Sequence, residues 1–257
     1  MPAPRTIRIT RYVTPLREGG SLPAIVEADD EGMYVVKFRG AGHGARALVA
    51  ELVSGEIARA LGLPVPELVL ADLDPDLART EPDPEIHALI LESAGLNVAL
   101  DYLPGSVTYD PIVQTPDADL ASRIVWFDAY VTNVDRTARN TNMLMWHRRL
   151  WLIDHGSTLY FHHSPDWDAD ARRARDPFPL IQNHVLLNHA SLLETVDEEL
   201  AHTLRPDLVT EIVSWIPESW LAAEGENPAK LRAAYARYLL ERVTAPRPFV
   251  EEARRAR

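Results

Sequence analysis

Three short β-prone runs open the chain, "IRITRYV" (7–13), "PAIVEA" (23–28) and "MYVVKF" (33–38), and the turn-forming stretches "REGGS" and "DDEG" separate them. Branched and aromatic residues between such breaks predict an antiparallel three-stranded meander. "ARALVAELVSGEIARAL" (45–61) changes the period: Leu48, Leu52, Val53, Ile57 and Leu61 recur at helical spacing, and "GLPVPE" stops the helix. "ELVLADL" and "HALILES" then read as two further strands. The order β-β-β-α-β-β implies an antiparallel sheet with one helix packed on it.

Beyond "ESAGLNVALDYLPGS" (92–106), which reads as a connector, the pattern turns helical. "DADLASRIVWFDAYVTN" repeats Leu120, Ile124, Phe127 and Val131 at three and four residues, and "NMLMW" and "LWLID" joined by "HRR" form a short hairpin. "PDLVTEIVSWI" and "PAKLRAAYARYLLERV" continue as helices. The expectation is an α+β chain with a β-rich N-lobe at 1–95 and a helical C-lobe at 96–257, together forming one catalytic domain. With 46% apolar and 25% charged residues in 257, the chain can bury one large core or two smaller ones.

Charge narrows the partners. A net charge of −12 argues against broad capture of nucleic acid or anionic lipid, since phosphate backbones need a basic footprint. No run of about 18 apolar residues suggests a membrane span. The absence of cysteine removes disulfides and thiolate zinc sites, and with no apolar leader the expected location is the cytoplasm.

Of the 26 basic residues only Lys37 and Lys230 are lysines. Lys37 lies inside "YVVKF", where strand alternation sets it on the same face as Val35. An ammonium on a rigid strand suits a phosphate as a point charge. It needs an acidic partner, and the following helix offers Glu51 and Glu56; wheel position alone favours Glu56. The second concentration of chemistry is "NVDRTARNTN" (133–142) followed by "LWLID": Asp135 and Asn140 occupy a loop, and Asp154 ends an apolar strand before His155 and Gly156. An aspartate can orient a hydroxyl and take its proton, while an amide oxygen and a second carboxylate are hard ligands suited to Mg²⁺. "YFHHSPDWDAD" offers His162, His163, Asp166, Asp168 and Asp170, in no closed-site spacing, and reads as solvated loop.

"VDRTARN" followed by "LWLIDHG" resembles the D-x-x-x-x-N and D-F-G signatures of the protein-kinase-like fold, and the arginine after Asp135 is more similar to HipA-type and phosphatidylinositol-type kinases. "VVKFRGAGHGARALVAELVSGEIARALGLPVPE" also resembles the HipA-like order of lysine strand, acidic helix and "GLPVPE"; the likeness covers roughly residues 15–160.

The resemblance implies a two-lobed fold and an ATP-dependent kinase that moves the γ-phosphoryl group of Mg-ATP to a hydroxyl of a protein or small polar acceptor. Lys37 would contact the phosphates, Asp135 would be the catalytic aspartate, and Asn140 and Asp154 would be the metal ligands. Gly19, Gly20 and Ser21 would cover the phosphates, and the strand end "ILES" would lead into an adenine-contacting hinge near Glu92. The family spacing selects Glu51 over Glu56 as the partner of Lys37. An antitoxin-like partner chain belongs to the same set of expectations. The alternative is a nucleotide-binding pseudokinase-like interaction module without turnover. His155 in place of the usual phenylalanine, and "TNV" before Asp135, depart from common protein kinases.

Overall fold

Strands β1 (Thr6–Pro15), β2 (Ala24–Ala28) and β3 (Met33–Lys37) form the predicted antiparallel meander, with Ile25 opposite Val35 and Val26 opposite both Tyr12 and Tyr34. The computed structural model describes residues 1–16, 22–42, 44–164, 167–168, 171–222 and 227–257. Helix α1 (Ala45–Ala60) and strand β4 (Leu68–Leu73) follow where the pattern put them. "HALILES" does not form a strand. It belongs to helix α2 (Pro84–Glu92), whose start Asp83 caps by accepting from the Glu85 amide, with Pro84 at the first helical position. Ile86, Leu89 and Ile90 bury one helical face, a spacing that a short apolar run shares with a strand.

The fifth strand is instead the predicted connector: β5 (Gly95–Asp101) pairs antiparallel with both β3 and β4, setting Lys37 opposite Val98. Asn97 through Leu100 are buried on both faces, so no alternation marks them as a strand. The sheet is also not wholly antiparallel. β1 and β4 run parallel from Thr6–Leu70 to Arg8–Asp72, closing a barrel in the order β1-β2-β3-β5-β4. Closure removes the edges that an open five-stranded sheet would present.

The barrel holds its own core of Ile7, Val26, Val36, Val69 and Ala99. A second core continues from the barrel's outer surface into the rest of the chain: Leu48, Leu52 and Ile57 of α1 pack with Leu68, Val98 and Leu100, and with residues of α3 (Ala118–Tyr130). At Gly55 an added Cβ would lie 2.9 Å from the Leu68 side chain, which shows how closely α1 approaches the sheet. The helix is therefore shared between the two parts of the molecule.

After α3, strands β7 (Met143–Trp146) and β8 (Arg149–Leu152) form the predicted hairpin, turning at His147 and Arg148, both with positive φ. A two-residue strand β6 (Val107–Thr108) flanks it. Helices α4 (Leu193–Thr203), α5 (Pro206–Ser214), α6 (Glu218–Ala222), α7 (Pro228–Val243) and α8 (Pro248–Ala256) complete the helical part. No helix among the described residues is long and apolar enough to cross a membrane.

The C-terminal end of α3 is secured from a distance. Arg242 of α7, 1% exposed, donates to the carbonyls of Ala129 and Tyr130 at 2.9 and 2.8 Å, and to those of Ala174 and Asp176 at 3.1 and 2.9 Å. Carbonyls at a helix terminus have no partner within the helix, and a cation there also meets the negative end of the dipole. Arg242→Met would leave four carbonyls without this donor, three of them buried; urea unfolding is expected to show a loss of about 3 kcal/mol, several unmet acceptors adding up.

Candidate active site

Lys37 is where the barrel meets the second half of the chain. As the last residue of β3 it lies opposite Val98, a register that turns its side chain out of the barrel core toward α1. Its ammonium is 2.7 Å from Glu51 Oε2 and also pairs with Asp154 Oδ1. Burial alone would push the lysine pKa down, but the Asp154 and Glu51 charges outweigh it and hold the group protonated above its usual range. Burial likewise works against ionising Glu51, yet Lys37 and the neighbouring His155 ring bring its pKa down to about 2. Asp154, with φ 57°, follows β8 by two residues and keeps 41% of its side chain exposed. One carboxylate of the trio is thus sealed and the other faces solvent.

Glu56 is not the partner. It is as buried as Glu51, pairs with Arg59 at 2.8 Å, and burial raises its pKa. The wheel argument misled because α1 is enclosed on nearly every side, from Leu48 through Ala58, so an apolar arc has no meaning on it.

His155 is fully buried, its ring edge-on to Phe127 with centroids 5.8 Å apart, and its Nδ1 lies 3.5 Å from Glu51 Oε1. Imidazole in place of phenylalanine keeps the aromatic packing and adds a nitrogen facing the carboxylate. The following turn is fastened to α1 by Thr158, whose hydroxyl is 2.6 Å from Ser54 Oγ and 2.7 Å from the His155 carbonyl.

The "NVDRTARNTN" loop is built around a carboxylate that sequence reasoning passed over. Asp128, fully buried in α3, accepts from Asn133 Nδ2 at 2.7 Å, Arg136 Nε at 2.7 Å and His184 Nε2 at 2.8 Å. The Leu186 amide donates to His184 Nδ1 at 3.0 Å, which leaves Nε2 as the ring nitrogen that carries hydrogen toward Asp128. Burial opposes ionisation of Asp128, but the Arg136 charge and the hydrogen bonds from His184 and Asn133 lower its pKa to about 2. Arg136, 1% exposed, also donates to the Asn142 carbonyl, so it is a structural tie and is not available to a substrate. A charged residue on the apolar face of "RIVWFDAY" was the available signal for Asp128; His184, far away in sequence, had none.

Asn133 links this hub to the loop, its Oδ1 accepting from the Asp135 amide at 3.0 Å. Asp135 then takes two amides on one oxygen: Asn140 Nδ2 at 2.8 Å and Asn142 Nδ2 at 3.1 Å reach Asp135 Oδ2. A carboxylate offers only acceptors, so both amides must present nitrogen to it and turn their oxygens elsewhere. Asn142, with φ 47°, serves both the turn and Asp135. Asn140 and Arg139 are exposed.

A family model for HipA-like kinase matches residues 9–251. The chain belongs to the HipA-like kinase family. No curated protein matches the sequence. Among solved structures, a Helicobacter pylori proinflammatory kinase, CtkA, aligns over 98% of this chain and 98% of its own, with 13% identity and a TM-score of 0.54. That likeness carries the two-lobed, kinase-like α+β fold. A Golgi casein kinase solved with Mn/ADP bound aligns over 96% of this chain and 75% of its own at 13% identity, with a TM-score of 0.48.

In this HipA-like kinase the other sequence-derived positions fall differently. Gly19, Gly20 and Ser21 lie outside the described residues, as do Asp166 and Asp170. Glu92 is the exposed last residue of α2 and not the end of a strand, packed beside Gly40. His162 is buried against Tyr235 and His163, and Asp168 pairs with Lys230 at 2.8 Å. Among the described residues no group of three or more His, Asp or Glu could hold a metal by themselves. A hard cation would draw on mixed donors, and the outward Asn140 oxygen and the exposed Asp154 carboxylate are oxygen donors of the right kind.

Both low carboxylate pKa values tie stability to pH. Glu51 and Asp128 ionise in the folded state near 2, below their ordinary 4.5 and 3.8, so they contribute stability above the ordinary values and lose it as pH falls toward 2. Urea unfolding is expected to show falling stability across that window. Asp128→Asn, which leaves the Arg136 charge buried and unpaired, is expected to cost about 3–5 kcal/mol at pH 7 and to flatten the acid slope.

Proposed function

We propose that this chain is an ATP-dependent phosphotransferase that moves the γ-phosphoryl group of Mg-ATP to a hydroxyl of a protein or a small polar acceptor. The observation that carries this reading is the junction at Lys37: a lysine from β3 held by Glu51 of α1 and by Asp154 after β8, partners 14 and 117 residues away in sequence. Such a junction between two solvent-poor layers matches what phosphoryl transfer asks of a protein, namely placed charge and little covalent chemistry.

Glu51 fixes the direction of the ammonium, and Lys37 presents its charge to the nucleotide phosphates. Asp135 has Oδ2 occupied by two amides, which leaves Oδ1 to align the acceptor hydroxyl and take its proton. Asn133 and the Asp128 hub hold that carboxylate in place from behind. Asn140 Oδ1 and the Asp154 carboxylate would hold Mg²⁺, which when bound neutralises phosphate charge. With β5 ending at Asp101, the backbone leaving that strand is where the adenine contact falls, in place of Glu92. Gly19, Gly20 and Ser21 keep their proposed role over the phosphates.

Asp135→Asn is expected to lower phosphotransfer by about 10²–10⁴-fold while Mg-ATP affinity by calorimetry stays within about threefold. Lys37→Met is expected to weaken nucleotide binding as well. Undiminished ATP turnover in Asp135→Asn would sink the assignment. Binding of Mg-ATP by the wild type with no hydrolysis, autophosphorylation or transfer to any acceptor would favour a binding module.

A further inference from the structure

An open cavity of about 620 Å³ lies between the loop after α1, the N-terminal end of α3 and the β7–β8 hairpin, within the size range of small-molecule sites. None of its lining residues belongs to the Lys37 junction, the Asp128 hub or the loop around Asp135. Leu63, Pro64, Leu120, Met145 and Leu150 give it apolar walls.

Two residues of those walls carry donors without partners among the described residues. Tyr109 is 2% exposed and lines the cavity, yet its hydroxyl has no hydrogen-bond partner among the described residues. The Tyr109 backbone is held in place, its amide donating to the Met143 carbonyl at 2.9 Å and its carbonyl accepting from Thr141 at 3.3 Å. The buried indole Nε1 of Trp151, on the same cavity, is also without a partner among the described residues. Buried polar groups are nearly always hydrogen-bonded, so two orphaned donors on residues that line one cavity mark a place for an acceptor. Arg148 and Arg149 line the same cavity, are exposed, and form no ion pair among the described residues. Among the described residues Arg123, Arg136, Arg175 and Arg247 each hold a carboxylate, whereas Arg148 and Arg149, like Arg8 and Arg139, hold none, and these two lie together at one cavity.

We propose that this cavity is a second ligand site, for a small organic anion: an apolar or aromatic body that carries a carboxylate or phosphate. The body packs on the aliphatic walls, and its oxygens take hydrogen bonds from the guanidinium groups, the phenol and the indole, donors whose geometry suits oxyanions. The site has a bearing on the cleft through backbone. Leu152 donates to the Pro64 carbonyl at 2.7 Å, tying two cavity walls that lead to Glu51 on one side and to Asp154 on the other. The binding claim does not rest on the phosphotransfer reading.

Calorimetry on the full chain with phenylacetate, phenyl phosphate and the uncharged benzyl alcohol tests it. One of the two anions is expected to bind at least about tenfold more tightly than benzyl alcohol, and the preference between them names carboxylate or phosphate. Arg148→Gln with Arg149→Gln, and separately Tyr109→Phe, are each expected to weaken that anion about tenfold with unchanged thermal unfolding. No binding of either anion at millimolar concentration overturns the proposal. So does anion binding that both variants leave untouched, or benzyl alcohol binding as tightly as the anions.

Discussion

The Lys37 ammonium, set between Glu51 and Asp154, is the contact on which the arrangement of this HipA-like kinase turns. Each partner arrives on a different element, and each brings a layer with it: Glu51 the helix shared by both cores, Asp154 the hairpin of the second half. A lysine so enclosed remains charged only because both carboxylates offset the cost of its burial. Glu51 in turn stays ionised in a fully buried position because the lysine is there. Neither charge is stable in that place alone, so each layer brings a charge that the other offsets.

A second buried carboxylate does for the loop what the junction does for the cleft. Asp128 collects Asn133, Arg136 and His184, and Asn133 passes that order on to Asp135. The helix end that carries Asp128 is itself held by Arg242, more than a hundred residues away. Asp135 is therefore placed by a chain of contacts reaching from α7 through α3 into the loop, and its Oδ1 takes part in none of them.

Much of the candidate site was legible because local chemistry marks it. A lone lysine in a strand, and D-x-x-x-x-N followed by an apolar strand ending in aspartate, are patterns that survive without knowledge of packing. Glu51 was legible through family spacing and illegible through the helical wheel, since α1 has no solvent face to define an arc. "HALILES" and "GLNVALD" exchanged roles for a related reason: one apolar run is short enough to suit either period, and the other is buried on both faces and shows none. Asn133 shows the same limit, because nothing local distinguishes a capping amide from one that ties a hub to a loop.

By itself the sequence determined the order of elements in the meander, α1, α3 and the hairpin, the family, and the residues that bring charge to the Lys37 junction. Those follow from periodicity, turn chemistry and short motifs, all of which act over a few residues. Only the tertiary structure decided that the sheet closes through a parallel β1–β4 pair, that Arg136 is a buried tie, and that His184 and Arg242 brace the loop and its helix. Those outcomes depend on contacts between residues distant in the chain, where burial and electrostatic pairing decide a side chain's role and local spacing carries no trace of it.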